Sequence, residues 1–591
     1  MKKLLPILFF LPQLLWAQHV THGPVSGGIT HNSARVYVRT GYVGAFTLEV
    51  DDDSTFTSPL SFNITADPLR DSSVVTDIPG LTSNTYYYAR FVFAGVPDVR
   101  KGRFKTFPQP GEKTNFTLVT GSCQETPDMN TFDRMAEINP LMMFHLGDFT
   151  YPSYELDDTY PANYSTVQLS WRKRYEEHRT REMLWTVPID YINDDDDGYG
   201  SEKNLWISPE FTYDSSTFHV HNYYSVDTIP LIGRYNHNRA YCEYFPHYPL
   251  VDTSLGLFHS YVMGNTEIFF LDTRSMADPV YESFVYDSIN DSWSFGPDTS
   301  HSILGDYQMS WLKQGLLNST ADWKLIFCGL PFNKNLKKLI HLGVFFQNSM
   351  LDIDGSPQTG MKLATSFAGY WPGYPADQQE LLDFMEINQI KNVMISSGDT
   401  HHNMIDDGYN AGIPELNASG LSVADRSLGY QLNHYLEPLG FPVVDSLWNK
   451  GGNGLAPDTN LNNAFGRIDV YKGDSLKVCV VDEYGVNIAC MTIVNSSIAS
   501  IQQEKTSVFS KVYPNPTSGD LHVLLNPDYK FTKEDNLYLV NTLGKKIRIV
   551  AEQLNNDEHQ FVTDLRGLAA GVYYLIFESP TTRMSHKVVV K

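Results

Sequence analysis

The stretch Leu141-Met-Met-Phe-His-Leu-Gly-Asp-Phe-Thr-Tyr151 decides the fold of the central part of this chain. Its apolar run is short and continuous and does not alternate with polar residues, which is typical of a strand buried on both faces. Similar runs recur along the chain, at Phe116–Val119, Ile268–Leu271, Leu325–Leu330 and Val393–Ser396. Because such strands occur in sheets that are covered by other layers, residues 115–495 are predicted to form a large α/β domain.

Helices are expected between these strands. Between the first two, Asn130 is a candidate cap for a helix whose inner face begins at Phe132. Before the last one, Asp377 favours the first turn of another helix, and Leu381 lies on its inner face. The long stretch 333–367 holds several glycine and aromatic residues, and we expect it to form a lid or a wall of a substrate site.

Residues 18–108 are predicted to form a small all-β domain. Ala34-Arg-Val-Tyr-Val-Arg-Thr40 alternates apolar and polar residues with the period of two that half-buried antiparallel strands show. A further strand is entered through Leu81-Thr-Ser-Asn-Thr-Tyr-Tyr-Tyr88. This entry resembles the tyrosine corner of fibronectin-type sandwiches, with Ser83 where proline is usual. The resemblance implies a fibronectin/Ig-like β-sandwich.

Residues 508–591 form a third module, which follows a polar linker at 496–507. Val512-Tyr-Pro-Asn-Pro-Thr-Ser-Gly519 and Leu568-Ala-Ala-Gly-Val-Tyr-Tyr-Leu-Ile-Phe577 carry its two signatures. They resemble the C-terminal sorting domain of the type IX secretion system of Bacteroidetes. The resemblance implies an all-β sandwich domain, type IX machinery as a partner, and attachment to the cell surface or release. The alternative is an ordinary β-sandwich binding module.

Residues 1–17 are predicted to be a secretory signal. Met1-Lys-Lys3 is basic, an apolar run follows up to Trp16, and Ala17 is the small residue before the expected cleavage site. The alternative is a buried helix, but the run lacks amphipathic periodicity. No later stretch has the roughly 18 continuous apolar residues that a membrane helix needs, so no transmembrane segment is expected.

Composition excludes some functions. The 591 residues include 44 Lys+Arg and 68 Asp+Glu, which gives a formal charge of −24. Such a length indicates several domains, and the acidic balance argues against stable binding of nucleic acid, whose phosphates it would repel. Of the five cysteines, Cys479 and Cys490 are candidates for a disulfide. If Cys242 and Cys328 also paired, Cys123 would be the free thiol.

Three strand ends carry the chemistry. They are Thr120-Gly-Ser-Cys-Gln124, His145-Leu-Gly-Asp-Phe-Thr-Tyr151 and Ser397-Gly-Asp-Thr-His-His402. Taken singly, each has an ordinary structural explanation as a turn, a small core residue or a hydrogen-bonded histidine. Together they supply thiol, carboxylate, phenol and imidazole groups at strand ends, which favours a metal site with several ligands.

The same stretches resemble a known family. Together with Leu271-Asp-Thr-Arg274 and Gly373-Tyr-Pro375, they follow in order the motifs of the PhoD-like (alkaline phosphatase D) family. That family belongs to the calcineurin-like metallophosphatases. The resemblance implies a layered β-sandwich flanked by helices, hydrolysis of phosphate diesters and monoesters, and a binuclear or larger metal centre with Fe³⁺ and Ca²⁺.

The resemblance also implies roles for individual residues. Metal ligands are expected at seven positions, namely Cys123, Asp148, Tyr151, Asp194, Asp195, Asp399 and His401. Arg274 is expected to meet a phosphate oxygen, with pairing to the loop of Asp272 as the alternative. His402 is proposed as a proton donor.

One motif departs from the family pattern. In Pro188-Ile-Asp-Tyr-Ile-Asn-Asp-Asp-Asp-Asp197, Asn193 replaces the usual tryptophan and Asp196 stands where a histidine belongs. Ser201 and Asn204 are both near the place of a downstream asparagine ligand. The missing histidine bears on protonation of the leaving group. The alternative is that residues 194–197 form a solvated acidic turn or a separate calcium loop.

These observations predict a secreted phosphoesterase that hydrolyses small extracellular phosphate esters with a metal-activated hydroxide. One rival is a nucleotide phosphatase or nuclease of the same fold. The other is a surface adhesin or binding protein with a degenerate site, which the altered acidic motif favours.

Overall fold

The structure is a computed structural model of the chain. It describes residues 19–151, 163–199, 210–214, 219–223, 229–349, 359–423, 447–450, 462–496, 509–525, 535–541, 546–549, 552–553, 560–578 and 583–591. The predicted signal at 1–17 lies outside these residues. The described residues up to 496 form one compact unit, and those from 509 onward form a second. The predicted domain boundaries stay predictions.

Seven strands make up the N-terminal part: β1 (Val20–Gly27), β2 (Ser33–Thr40), β3 (Ala45–Asp51), β4 (Leu60–Thr65), β5 (Ser73–Pro79), β6 (Tyr86–Phe93) and β7 (Val96–Lys105). They form two antiparallel sheets, ordered β1-β2-β5 and β4-β3-β6-β7. The tyrosine corner is present, because the backbone N–H of Thr82 donates to the Tyr87 hydroxyl at 2.8 Å. The predicted N-terminal β-sandwich is confirmed.

The central part contains the strands that carry the site. They are β8 (Phe116–Gln124), β9 (Met142–His145), β10 (Ile189–Tyr191), β11 (Glu210–Asp214), β12 (His219–Tyr223), β13 (His259–Met263), β14 (Thr266–Leu271), β15 (Phe284–Asp287), β16 (Ser292–Phe295), β17 (Trp323–Cys328), β18 (Val393–Ser397), β19 (Asn403–Asp407), β20 (Pro414–Ser422), β21 (Ala464–Tyr471), β22 (Ser475–Asp482) and β23 (Asn487–Val494).

Twelve of these strands are hydrogen-bonded into one sheet. Its main order is β13-β14-β17-β18-β20-β8-β21-β22-β23, with β19 beside β20, β9 beside β8 and β10 beside β9. The stretch from β14 to β8 is parallel, as are the pairs β8–β9 and β9–β10. Every residue of β9 and β18 is buried, which confirms strands covered on both faces. The α/β fold class is therefore confirmed.

Helices flank this sheet: α1 (Asn130–Ile138), α2 (Tyr164–Glu176), α3 (His178–Leu184), α4 (Ile229–Tyr244), α5 (Gly305–Asn318), α6 (Lys337–Ser349), α7 (Thr359–Ala368) and α8 (Pro375–Ile387). Both predicted helices, α1 and α8, are present. The prediction that Asn130 caps α1 is wrong, because Asn130 is already the first helical residue. Met129, in extended conformation, holds the cap position without a capping hydrogen bond from its side chain.

Two helices, α6 and α7, occupy the stretch 333–367 where a lid or wall is expected. They approach closely at Gly343, where a Cβ atom would lie 2.5 Å from the backbone nitrogen of Ala364. Only glycine permits that contact between the two backbones. The role of this helix pair as a lid or substrate wall stays a prediction.

The N-terminal sandwich packs directly on the elements that lead to the site. Gly27 of β1 approaches β10 so closely that a Cβ atom would lie 2.8 Å from the carbonyl oxygen of Ile189. The indole N–H of Trp185 donates to the Gly23 carbonyl at 3.2 Å, and Arg172 of α2 pairs with Asp71 at 2.6 Å. The sandwich therefore fixes β10, which runs into the acidic stretch 194–197.

The C-terminal unit contains β24 (Phe509–Tyr513), β25 (Asp520–Leu525), β26 (Asn536–Asn541), β27 (Lys546–Ile549), β28 (Glu552–Gln553), β29 (Gln560–Asp564), β30 (Gly571–Glu578) and β31 (Arg583–Val590). They form two four-stranded antiparallel sheets, ordered β24-β25-β29-β28 and β27-β26-β30-β31. Leu521, Leu539 and Phe577 lie in their common core. The predicted C-terminal all-β domain is confirmed.

One disulfide joins Cys479 and Cys490, which lie opposite each other on β22 and β23. Cys123, Cys242 and Cys328 are free thiols, so the second pair considered from the sequence does not form. None of the helices in the described residues combines the length and apolar character that crossing a bilayer requires.

Candidate metal centre

The predicted ligands lie at the carboxyl ends of parallel strands. Cys123 is the next-to-last residue of β8, and Asp148 follows β9. Asp194 follows β10, and Asp399 and His401 follow β18. Strands β8, β9 and β10 are mutually parallel, and β18 is parallel to β8 through β20. Their carboxyl ends therefore meet at one edge of the sheet, where loops can bring side chains together.

Backbone strain is concentrated at the same residues. Cys123, Asp148, Asp399 and His401 have φ values of 64°, 57°, 70° and 58°. Residues other than glycine rarely adopt this left-handed conformation, which costs about 1 kcal/mol or more for each residue. Strained residues of this kind cluster at functional sites, where the surrounding structure holds them in place.

Two groups of three residues converge in this region. In the first, ligand atoms of Cys123, Asp148 and His401 all lie within 4.8 Å of one another. In the second, the carboxylates of Asp148, Asp194 and Asp195 lie within the same distance of one another. Asp148 belongs to both groups, so its carboxylate lies within reach of both candidate cation positions.

The other two predicted ligands lie beside these groups. The Tyr151 hydroxyl donates a hydrogen bond to Oδ2 of Asp148 at 3.1 Å. Oδ2 of Asp399 lies 3.6 Å from Nη2 of Arg274, and among the described residues its carboxylate falls within neither group of three. Tyr151 therefore contacts the first group through Asp148, and Asp399 lies near Arg274, next to the second group.

The donor atoms of the two groups differ in chemistry. The first combines a thiol, an imidazole and a carboxylate, with the Tyr151 phenol nearby, a set that suits a transition metal. The second offers only carboxylate oxygens, which suit a hard cation such as Ca²⁺. Oδ2 of Asp194 is buried and finds no hydrogen-bond partner among the described residues, as expected of an oxygen that binds a cation. The residues present therefore fit a centre with two different cations.

Burial sets the electrostatics of the cluster. It raises the pKa of Cys123, with a further contribution from Asp399, and it raises the pKa values of Asp148 and Asp194 well above their usual range. The physical cause is that several acids share a volume from which water is excluded. Nearby cations would reverse these shifts, because a bound metal is the largest local charge in such a site.

Asp197 is the residue that reasoning from the sequence missed. Its buried carboxylate accepts hydrogen bonds from the backbone N–H groups of Asp148 (2.6 Å), Phe149 (2.9 Å), Thr150 (2.7 Å) and Asp194 (3.0 Å). It therefore ties the loop after β9 to the acidic run after β10. Asp194 and Asp197 are fully buried, so this run is not a solvated turn. The run of four aspartates gave no signal that the last one has this role.

Arg274 lies inside the acidic cluster. Its Nε pairs with Oδ1 of Asp194, and its Nη2 lies 3.4 Å from Oδ1 of Asp195. Its contact with Asp272, the alternative partner expected from the sequence, is made by the backbone N–H at 3.0 Å, whereas the guanidinium pairs with the aspartates of the acidic run. Contact of the guanidinium with a phosphate oxygen stays a prediction.

His402, which directly follows His401, is buried. Burial and the neighbouring His401 lower the pKa of His402 to about 3, so its ring is neutral at neutral pH. Its Nδ1 has no hydrogen-bond partner among the described residues. Its role as a proton donor stays a prediction, and a neutral ring would have to fill that role.

Comparison with known families settles the broad assignment. Residues 116–421, about half of the chain, match the model of the PhoD-like phosphatase family. The chain belongs to the PhoD-like phosphatase family. This confirms the resemblance drawn from the motifs.

The PhoD-like chain is also similar to individual known proteins. It is 27% identical over 365 residues to alkaline phosphatase D of Bacillus subtilis (strain 168), which covers 57% of this chain and 54% of that protein. The chain thus spans about half the length of that relative. It also shares the fold of a solved structure of PhoD, with a TM-score of 0.56 and 18% identity, covering 83% of this chain and 95% of that one. A purple acid phosphatase from yellow lupin aligns with a TM-score of 0.45 and 12% identity, over 80% of this chain and 74% of that one.

A second family covers the C-terminal unit. Residues 511–591 match the secretion system C-terminal sorting domain. The sorting domain indicates that this PhoD-like protein is secreted or displayed at the cell surface.

The PhoD-like motif that departs from the pattern lies within the centre. The backbone N–H of Asp196 donates to Oδ1 of Asp148 at 3.2 Å, and Oδ1 of Asp196 is buried without a hydrogen-bond partner in the ranges that the structure describes. Asn193 is fully buried. Ser201 and Asn204, the candidates for the downstream asparagine ligand, lie outside the described residues.

Proposed function

We propose that this PhoD-like chain is a secreted, metal-dependent phosphoesterase that hydrolyses extracellular phosphate diesters or monoesters. The observation that carries the proposal is the position of Asp148 in both groups of potential ligands. A carboxylate within reach of two cation positions can hold two metals close together, as two-metal hydrolysis of phosphate esters needs. The net charge of −24 favours small phosphate esters over nucleic acids as substrates.

The proposed centre holds Fe³⁺ and Ca²⁺. Cys123, His401 and Tyr151 would hold the iron together with the shared carboxylate, because thiolate, imidazole and phenolate donors suit a transition metal. Asp194 and Asp195 would hold the calcium. When bound, such cations lower the pKa of a water molecule and neutralise charge on the phosphate oxygens.

The remaining residues orient these groups. Asp197 fixes the loop of Asp148, since its carboxylate accepts three consecutive N–H groups there. Arg274 is proposed to reach a phosphate oxygen from its place beside the carboxylates of Asp194 and Asp195. Asp399 is proposed to complete the ligand set.

The test of this function is hydrolysis of bis-p-nitrophenyl phosphate by the purified protein, combined with analysis of its metal content. We expect turnover with stoichiometric iron and calcium, at least tenfold loss (about 1.4 kcal/mol) after chelation, and recovery only when both metals return. Turnover that survives complete removal of metal would contradict the proposal. Neither metal nor turnover would support the binding protein, and a strong preference for polynucleotides would support the nuclease.

Replacing Tyr151 by phenylalanine tests the iron ligand directly. A tyrosinate bound to Fe³⁺ absorbs visible light by charge transfer, so Tyr151→Phe is expected to abolish the colour of the iron-loaded protein. Tyr248→Phe is the matched control, because Tyr248 is also buried but its hydroxyl donates to the carbonyl oxygen of Ile29 at 2.7 Å. The measurement is an absorption spectrum from 400 to about 700 nm at equal iron content. Colour that persists in Tyr151→Phe, or that disappears equally in Tyr248→Phe, would show that the ligand assignment is wrong.

The two ends of the chain supply the proposed route of export. The sorting domain supports translocation by type IX secretion machinery across the outer envelope of a Bacteroidetes-type cell. The signal expected at residues 1–17 would direct the first step. The protein would then act on the outer face of the cell or in the medium.

A further inference from the structure

Arg274 is held rigidly within the acidic cluster. It follows β14 and is 5% exposed. Its backbone N–H donates to Asp272, and the same carboxylate accepts the N–H of Leu257 at 2.9 Å and the hydroxyl of Ser275 at 2.6 Å. The loop that carries Arg274 is therefore fixed by hydrogen bonds to the carboxylate of Asp272.

The partners of this guanidinium are carboxylates of the proposed calcium side. Nε pairs with Oδ1 of Asp194, Nη2 lies 3.4 Å from Oδ1 of Asp195, and Nη2 lies 3.6 Å from Oδ2 of Asp399. The two oxygens of Asp194 differ, because Oδ1 pairs with the arginine whereas Oδ2 is buried with no hydrogen-bond partner in the described part of the chain. A cation held by Asp194 and Asp195 would thus lie next to a permanent positive charge.

The charge on Arg274 has two opposite consequences. It compensates buried carboxylates that would otherwise repel one another, because an uncompensated charge in a site without water is strongly unfavourable. It also repels any cation that binds the same carboxylates, since like charges a few ångströms apart interact strongly where water is excluded. The first effect stabilises the fold of the centre, and the second weakens cation binding.

We propose that Arg274 is a resident positive charge that sets the cation affinity of the aspartate side of the centre. This inference rests on the proposed two-cation function. Arg274 holds Asp194, Asp195 and Asp399 together, and it lowers their affinity for Ca²⁺ so that this cation exchanges more easily than the one held by Cys123 and His401. Arg274 is in this respect a positioning residue.

The test measures calcium binding to chelator-treated full-length protein by isothermal titration calorimetry. Arg274→Gln removes the charge and keeps a hydrogen-bond donor for Asp194. We expect this variant to bind Ca²⁺ at least about tenfold more tightly, with unchanged stoichiometry. The thermal midpoint of unfolding of the metal-free protein is expected to fall. Arg274→Lys keeps the charge, and its affinity is expected to stay within about threefold of the wild type.

Arg234→Gln is the matched control. Arg234 donates to the carbonyl oxygens of Ser275 and Ser254, at 3.0 and 2.5 Å, so it supports the same loop through backbone contacts. Its replacement is expected to leave Ca²⁺ affinity unchanged. If Arg274→Gln fails to fold, Arg274→Met is measured in its place with the same expected tightening, and circular dichroism of each variant verifies the fold.

The outcomes separate this inference from the proposed function. A wild-type protein that binds Ca²⁺ and hydrolyses phosphate esters, with an Arg274→Gln variant that binds Ca²⁺ equally or less tightly, overturns the inference alone. A wild-type protein that neither binds Ca²⁺ nor hydrolyses phosphate esters overturns both. Equal tightening in Arg234→Gln would also overturn the inference, because the effect would then come from the loop and not from the charge.

Discussion

Asp148→Asn is expected to lower kcat/KM for a phosphate diester by a factor of about 10³ or more, equivalent to about 4 kcal/mol. Asp148 is the residue common to both ligand groups, so its replacement removes a donor from each cation at once. Asparagine keeps the size of the side chain and tolerates the left-handed backbone at this position, where φ is 57°. The loss therefore reports on the carboxylate charge and not on the local fold. Initial rates and metal content, measured on the same preparation, check it.

Asp377→Asn is the matched control for this prediction. Asp377 is also buried, and its carboxylate accepts the Ser302 hydroxyl at 2.6 Å and the N–H of Ile303 at 2.9 Å, away from the centre. We expect it to retain metal and to keep kcat/KM within about threefold of the wild type. An Asp148→Asn variant that keeps full activity and both metals would refute the shared-ligand arrangement.

Asp197→Ala is expected to destabilise the central domain by about 3–5 kcal/mol. The substitution leaves the backbone N–H groups of Asp148, Phe149, Thr150 and Asp194 buried without their acceptor. It also releases the loop of Asp148 from the acidic run, so metal content and activity should fall together. The measurement is the thermal midpoint of unfolding, compared between metal-loaded and chelated protein.

Asp196→Ala serves as the control for stability. Asp196 is adjacent in sequence, but no described residue forms a hydrogen bond with the buried Oδ1 of its carboxylate, and its backbone N–H makes the contact with Asp148. Removing this carboxylate from a cluster of acids should leave the thermal midpoint unchanged or raise it. Equal destabilisation by the two variants would show that Asp197 has no special structural role.

Much of the fold could be predicted because it depends on local patterns. Continuous apolar runs such as Leu141–Leu146 correspond to buried strands, and the alternation in Ala34–Thr40 corresponds to a sandwich strand. These periods arise from the geometry of the strand itself and can be recognised without knowing what packs against it. The predicted start of α1 differs from the observed one by a single residue. The type of the capping residue does not by itself fix where the backbone becomes helical.

The site could be predicted in part. The order of the motifs identified Cys123, Asp148 and His401, whose potential ligand atoms the structure brings within 4.8 Å of one another. The four consecutive aspartates at 194–197, in contrast, cannot be distinguished from one another by sequence. Their roles separate only in three dimensions, where Asp194 faces Arg274 and Asp197 accepts the N–H groups of another loop.

The sequence by itself determined that the chain has three kinds of domain. It also determined that carboxylates, a thiol and imidazoles follow the predicted strands in the order of the motifs of one family. It could do so because strand periodicity and motif spacing are properties of neighbouring residues. Only the tertiary structure decided that Asp148 belongs to both groups of potential ligands and that Asp197 supports the loop of Asp148. It also decided that the positive charge of Arg274 lies among the carboxylates. Those relations join residues that are distant in the chain, and they depend on how parallel strands align their ends at one edge of the sheet.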